Sequence, residues 1–168
     1  MRSELAIPPP PTAILDDLVH SMSIAKRGSR IIYEPQAQAY EHAAASMSDE
    51  FRRKKRLALG GFQMLLKRWA LPNWHTPRLL FCFISHKILR WMGPWLLLVL
   101  WLANALLVGH HWFYSMFFAG QMLFYALAFI GLLVPTSRSW SCFSIPMYFV
   151  QMNAAFLLGA LQALFAPS

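Results

Sequence analysis

Three uncharged apolar runs, residues 91–109, 112–134 and 145–165, fill the C-terminal part of the chain. Each approaches the roughly 20 residues that an α-helix needs to cross a hydrocarbon core about 30 Å thick. None contains Asp, Glu, Lys or Arg. A helix buried in a soluble protein seldom stays uncharged for so long, so the pattern predicts three transmembrane helices. Ahead of them the periodicity changes. Ser48, with Asp49 and Glu50 behind it, has the form of a capped helix start. Phe51, Leu57, Leu59, Phe62, Met64, Leu65 and Leu66 then supply an apolar side while Arg53, Arg56 and Lys67 project elsewhere. This predicts a basic amphipathic helix reaching about Trp69. Gly60 and Gly61 inside it each cost about 1 kcal/mol relative to alanine, which close packing or a kink would explain. Pro72 and Pro77 break the chain around Trp74. A second helix over about 79–91 directs Phe83, Ile84 and Ile88 toward lipid and Lys87 and Arg90 toward headgroups, an interfacial arrangement.

Residues 1–50 have a different texture. Pro8 to Pro11 form a stiff extended entry, Thr12 is placed to cap a helix running to about Lys26, and Gly28 ends it. Ile31, Ile32, Tyr33 and Glu34 read as a short strand closed by Pro35. One helix and one strand cannot complete a sheet or bury a core. The expected organisation is therefore a C-terminal fragment of a cytoplasmic α/β domain over 1–50, basic amphipathic and interfacial helices over 51–91, and a three-helix transmembrane region over 92–168. The first seven residues lack an apolar core and do not read as a signal peptide.

Charge sharpens this division. Residues 1–50 carry seven acids against four bases, whereas from residue 51 onward there are eleven Lys or Arg and no acid. Fourteen of the fifteen cations precede the first apolar run, which predicts a cytoplasmic N-terminus in an inner, or plasma, membrane. The link at 109–111 holds no Lys or Arg and would lie outside; the link at 135–144 holds Arg138 and would return inside. A net charge of +8 is compatible with nucleic acid. These cations, however, crowd beside apolar spans, where anionic lipid attracts them at about 1 kcal/mol each, so the bilayer is the expected partner and nucleic acid is not. Composition agrees, at 57% hydrophobic residues and a mean hydropathy of +0.41. Cys82 and Cys142 stand apart in apolar contexts and read as small buried hydrophobes rather than a disulfide or metal pair.

Few residues can carry chemistry. Asp16 and Asp17 begin the first helix, where a carboxylate can serve as a general base or simply complement the helix dipole. His86, Lys87 and Arg90 read as interfacial anchors, and His110 with His111 as a wet loop. Asn104, Gln121, Gln151, Asn153 and Gln162 are the polar groups within the spans, suited either to lining a path or to hydrogen bonds between helices.

The run Phe51-Arg-Arg-Lys-Lys-Arg-Leu-Ala-Leu-Gly-Gly-Phe-Gln63 resembles the end of the catalytic domain in membrane-embedded family-2 glycosyltransferases, the group that includes synthases of cellulose, hyaluronan and poly-N-acetylglucosamine. Three further stretches resemble that family in the same order: Asp16-Asp17 with residues 28–41, then Ser85-His-Lys-Ile-Leu-Arg-Trp91 with Pro94, and Asn153-Ala-Ala-Phe-Leu-Leu-Gly159. The resemblance implies a GT-A-like fragment in which the last position of the family's "TED" motif, the acceptor base, falls on Asp17. Leu15 and Asp16 stand where that motif has Thr and Glu. It also implies that the "QxxRW" motif, which contacts diphosphate and acceptor, falls on residues 53–57. There Arg53 replaces Gln, Leu57 replaces Trp, and Arg56 keeps the arginine.

On that basis Asp17 is the expected catalytic base and Arg53, Arg56 and Asp16 the expected substrate or diphosphate contacts. Loss of the Trp weakens the inference of processive synthesis, since no aromatic platform remains to stack a sugar. The family's DxD motif, which holds Mg²⁺ or Mn²⁺, is absent, and no cofactor is expected in this chain itself. The implied partners are a nucleotide sugar, a glycan or lipid-linked acceptor and a companion chain carrying the donor half, without which the chain is expected to be inactive. The alternative is a non-enzymatic membrane adaptor or accessory subunit. A transporter is disfavoured, because the spans offer no ionisable residue for coupling.

Overall fold

The computed structural model describes residues 8–29, 31–32, 34–40, 46–72 and 75–165. All regular structure among them is helical: α1 (Asp16–Lys26), α2 (Met47–Leu66), α3 (Pro77–Phe83), a π-helical segment (Ile84–Ile88), α4 (Leu89–Leu107), α5 (Trp112–Leu133), a 3₁₀ turn (Pro135–Ser139) and α6 (Ser141–Phe165). The mainly α architecture holds, but the expected α/β fragment does not. Ile31 and Ile32 lie in irregular backbone and are 61% and 81% exposed; Tyr33, the third residue of the expected strand, lies outside the described residues, as do Trp74 and residues 41–45. A strand needs a neighbour to take its amides and carbonyls, and the described residues offer none.

The chain forms two units, one comprising residues up to Trp91 together with those from Leu158, the other Met92–Leu157. In the first unit, α2 is the central element. Ser46, two residues ahead of the expected cap, accepts a hydrogen bond from the Asp49 amide, and the helix stops at Leu66 rather than Trp69. Its buried residues are Ala58 and the run Gly60, Gly61, Phe62, Gln63 and Met64, while Leu66, expected on the apolar side, is exposed. A single apolar stripe buries residues three and four apart; five consecutive buried residues mean that α2 is covered from more than one side.

The glycine pair makes this possible. A Cβ at Gly60 would stand 2.7 Å from the Leu15 side chain, and one at Gly61 would stand 2.6 Å from the indole of Trp91. Gly159 of α6 approaches the Lys55 carbonyl, with Ala58 beside it. Trp91 is itself buried, edge-on to Phe83 at 6.0 Å and tilted on Phe62 at 6.5 Å. Phe83 is thus a core residue and does not face lipid.

Nor is residue 79–91 a separate interfacial helix, because helix runs from Pro77 to Leu107 without a break. The π register within it leaves carbonyls to side chains: the Ser85 hydroxyl donates to Phe81 O at 2.8 Å, and His86 Nδ1 lies 3.2 Å from Cys82 O. The α2 helix closes with Arg68 at φ 55°, the Arg68 amide donating to Leu65 O and the Trp69 amide to Met64 O. This is a Schellman closure with arginine where glycine is the usual residue.

In the second unit Asn104 Nδ2 donates to Gln121 Oε1 at 3.2 Å, joining α4 to α5 by the interhelical bonding open to such residues. A Cβ at Gly131 of α5 would lie 3.0 Å from the Phe143 carbonyl of α6, and Phe124 meets Phe149 edge-on. Asn153 is spent within its own helix, donating to Phe149 O. Arg138 closes α5 by donating to the carbonyls of Gly131 and Leu132, both at 2.9 Å, where its charge also complements the helix dipole. His111 accepts from the Phe113 amide at the start of α5, so it caps a helix rather than merely occupying a loop. Cys82 and Cys142 are both exposed, contrary to the burial expected of them.

Three helices, Pro77–Leu107, Trp112–Leu133 and Ser141–Phe165, are long and apolar enough to cross a membrane, and only 11% of the apolar window of α5 is buried in protein. Side chains such as Val99, Leu102, Leu106, Leu123 and Phe129 face outward. Hydrocarbon is the solvent in which such a surface carries no penalty.

Adding a methyl at Gly61 is expected to destabilise the first unit by about 1–3 kcal/mol, since the Trp91 ring must give way. Arg68→Gly should stabilise it by about 1 kcal/mol through relief of the left-handed backbone. Thermal unfolding of both variants in the same detergent checks the opposite signs.

Candidate functional site

The first turn of α1 begins without a capping side chain, because Leu15 occupies the N-cap position. The acids compensate: Asp16 Oδ1 accepts from the Asp17 amide at 3.0 Å, and Asp17 Oδ1 accepts from the Leu18 amide at 2.7 Å. Thr12, expected to cap, instead offers its carbonyl to another partner. Gln63 Nε2 of α2 donates to Thr12 O at 3.0 Å, while the Ile14 amide donates to Gln63 Oε1 at 3.3 Å.

On α2 the cations divide by position. Glu50 pairs with Lys54 at 3.0 Å, and Asp49 with Arg52. The Ser46 hydroxyl donates to Asp49 Oδ2 at 2.7 Å. That hydrogen bond first, and the Arg52 guanidinium second, hold the Asp49 carboxyl below its ordinary pKa. Arg56 lies four residues from Arg52 and three from Arg53, and Leu57 four from Arg53, so these neighbouring rows border one side of the helix.

That side faces the start of α1 across a cleft of about 710 Å³ lined by Ile14, Leu15, Asp16, Asp17, Arg52, Arg53, Arg56 and Leu57. All four residues singled out from the sequence, Asp16, Asp17, Arg53 and Arg56, therefore meet at one place, and all four are exposed. Two carboxylates facing three guanidiniums can hold an anionic group on one side and accept a proton on the other. Leu15 and Leu57, the apolar replacements in the two resembled motifs, line the same cleft.

Sequence reasoning missed two residues. Arg52 is one, although its spacing from Arg56 signals a shared face; it carries a salt bridge and lines the cleft at once. Gln63 is the other, and its signal is a lone amide between Gly60-Gly61-Phe62 and Met64-Leu65-Leu66. His86, Lys87 and Arg90 do not line this cleft. Among the described residues no group of three or more His, Cys, Asp or Glu could hold a metal ion.

Asp49 contributes to the stability of the α2 start above its unfolded pKa of about 3.9, and that contribution is lost as pH falls through its lower folded value. Acidification below about pH 4 is therefore expected to lower the protection of the Asp49 and Glu50 amides, measured against intrinsic exchange at the same pH, with a smaller response in Ser46→Ala. An equal response in both proteins would contradict the assignment. Comparison of the chain with family models, curated proteins and solved structures finds no match.

Proposed function

We propose that this chain supplies the acceptor side of a membrane-bound family-2 glycosyltransferase, moving a hexose-type sugar from a cytoplasmic nucleotide sugar to a glycan or lipid-linked acceptor. One observation carries the reading: Asp16 and Asp17 from one segment and Arg52, Arg53 and Arg56 from another line a single cleft. In this reading Asp17 is the general base. The acceptor hydroxyl oxygen attacks the anomeric carbon, its proton passes to the Asp17 carboxylate, and the bond from that carbon to the diphosphate breaks with inversion. The departing diphosphate gains negative charge, which Arg53 and Arg56 neutralise by charge-assisted hydrogen bonds. Asp16 lies beside the base and binds the acceptor.

Residues 1–168 carry the acceptor side only and do not turn over without a donor half and its metal. Leucine in place of the motif tryptophan favours addition of one or a few sugars over processive growth. In this reading the protein lies in the inner, or plasma, membrane with the cleft on the cytoplasmic side, where nucleotide sugars are found; the cluster of cations ahead of the three apolar helices supports that orientation.

The test is binding of inorganic pyrophosphate, standing for the departing diphosphate, to the full chain in lipid nanodiscs. Arg53→Ala and Arg56→Ala are each expected to weaken binding by about tenfold, and Lys87→Ala to leave it unchanged. Absence of pyrophosphate binding, or indifference to both arginines, would contradict the reading. Steady turnover of uridine-diphosphate sugars by residues 1–168 alone would contradict the need for a donor half.

A further inference from the structure

We infer that Gln63 is the positioning residue of this cleft, the group that holds the two carboxylates opposite the arginines; the inference rests on the function proposed above. Gln63 is 5% exposed, the more deeply buried of the two buried polar side chains among the described residues. Its amide bonds at both ends to the backbone that leads into α1, at Thr12 O and Ile14 N, about fifty residues away in sequence. A buried amide left unpaired is costly, so this double bond fixes both the position and the direction of the segment 12–14. Asp16 and Asp17 follow within three residues and, being exposed, have no burial of their own to hold them. What sets their place is the clamp together with the Gly60 contact, where the Ile14 and Leu15 side chains lie where a Cβ would stand.

The chemistry requires such a device. Carboxylates drawn toward the arginines would neutralise the guanidiniums that an anionic ligand needs, and carboxylates swung away could not reach an acceptor hydroxyl. Both acids are tied to the amides of their own helix turn, so the orientation of that turn decides which of these happens. Gln63 touches neither the acceptor nor the diphosphate in this account and acts only through the segment that it holds.

Two measurements on the full chain in nanodiscs test the inference, with Gln63→Met as the variant of similar volume. The first is amide hydrogen exchange, expected to rise at least tenfold at Ile14 and Asp17 while the amides of α2 keep their protection. Unchanged exchange at Ile14 would overturn the clamp. The second is a double-mutant cycle on pyrophosphate affinity. In the wild type, replacing both acids by asparagine removes negative charge beside the arginines and should tighten pyrophosphate about threefold or more. In the Gln63→Met background the same replacement should change affinity by less than about twofold.

An equal gain in both backgrounds would overturn the positioning role. If exchange rises but no protein binds pyrophosphate, the proposed function fails and Gln63 is left as a structural clamp only. Should Gln63→Met lose its α2 protection as a whole, Gln63→Asn keeps the amide chemistry but shortens its reach, and the same outcomes apply to it.

Discussion

The first unit depends on how closely other elements can approach α2. Ala58, Gly60 and Gly61 present almost no side chain, so Leu15, Trp91 and Gly159 each come nearer to the α2 backbone than a larger residue would allow. Dispersion is strongest at such short range and falls steeply across even a small gap. The cost of two glycines in a helix is thereby offset by packing rather than by a bend. The same approach brings the segment ahead of α1 within reach of the Gln63 amide, so one seam of small residues governs both the core and the cleft.

A second constraint is solvent. The surfaces of α4, α5 and α6 are apolar on the outside as well as where they pack, and after Arg90 at the start of α4 these helices contain no charged side chain. Within the second unit, specificity comes from small residues and a few amides: Gly131 against the Phe143 backbone, and Asn104 with Gln121. Without a hydrophobic drive between helices in lipid, such close contacts and polar bonds supply the attraction. Arg138, the one Lys or Arg beyond Arg90, is held at the end of α5 by the carbonyls of Gly131 and Leu132, so this lone cation has a role in the fold.

The cleft joins these themes. Its basic side is a regular helical face, readable from the spacing of Arg52, Arg53 and Arg56. Its acidic side is the first turn of a helix without a capping side chain, where the aspartates take over the free amides. Neither half is unusual alone. The meeting of acids and arginines in one cleft arises only because α1 begins against α2.

The three long apolar helices, the basic amphipathic helix and the end of the first helix at Lys26 were legible in the sequence, since each rests on local periodicity, end signals or the cost of placing charge in lipid; the start of that helix, expected after Thr12, was not. Asp16, Asp17, Arg53 and Arg56 were singled out by resemblance of short motifs, whereas Arg52, whose spacing from Arg56 signals the shared face, was not. Other features depended on partners remote in the chain. Ile31 and Ile32 have strand-forming side chains but no neighbouring strand among the described residues, so local propensity did not prevail. Phe83 and Trp91 have the composition of membrane anchors, yet the opening left by Gly61 draws Trp91 into the core with Phe83 against it. The Gln63 clamp joins residues some fifty positions apart. Periodicity reports what a helix face prefers to touch, and only the tertiary structure decides which surface comes close enough to be touched.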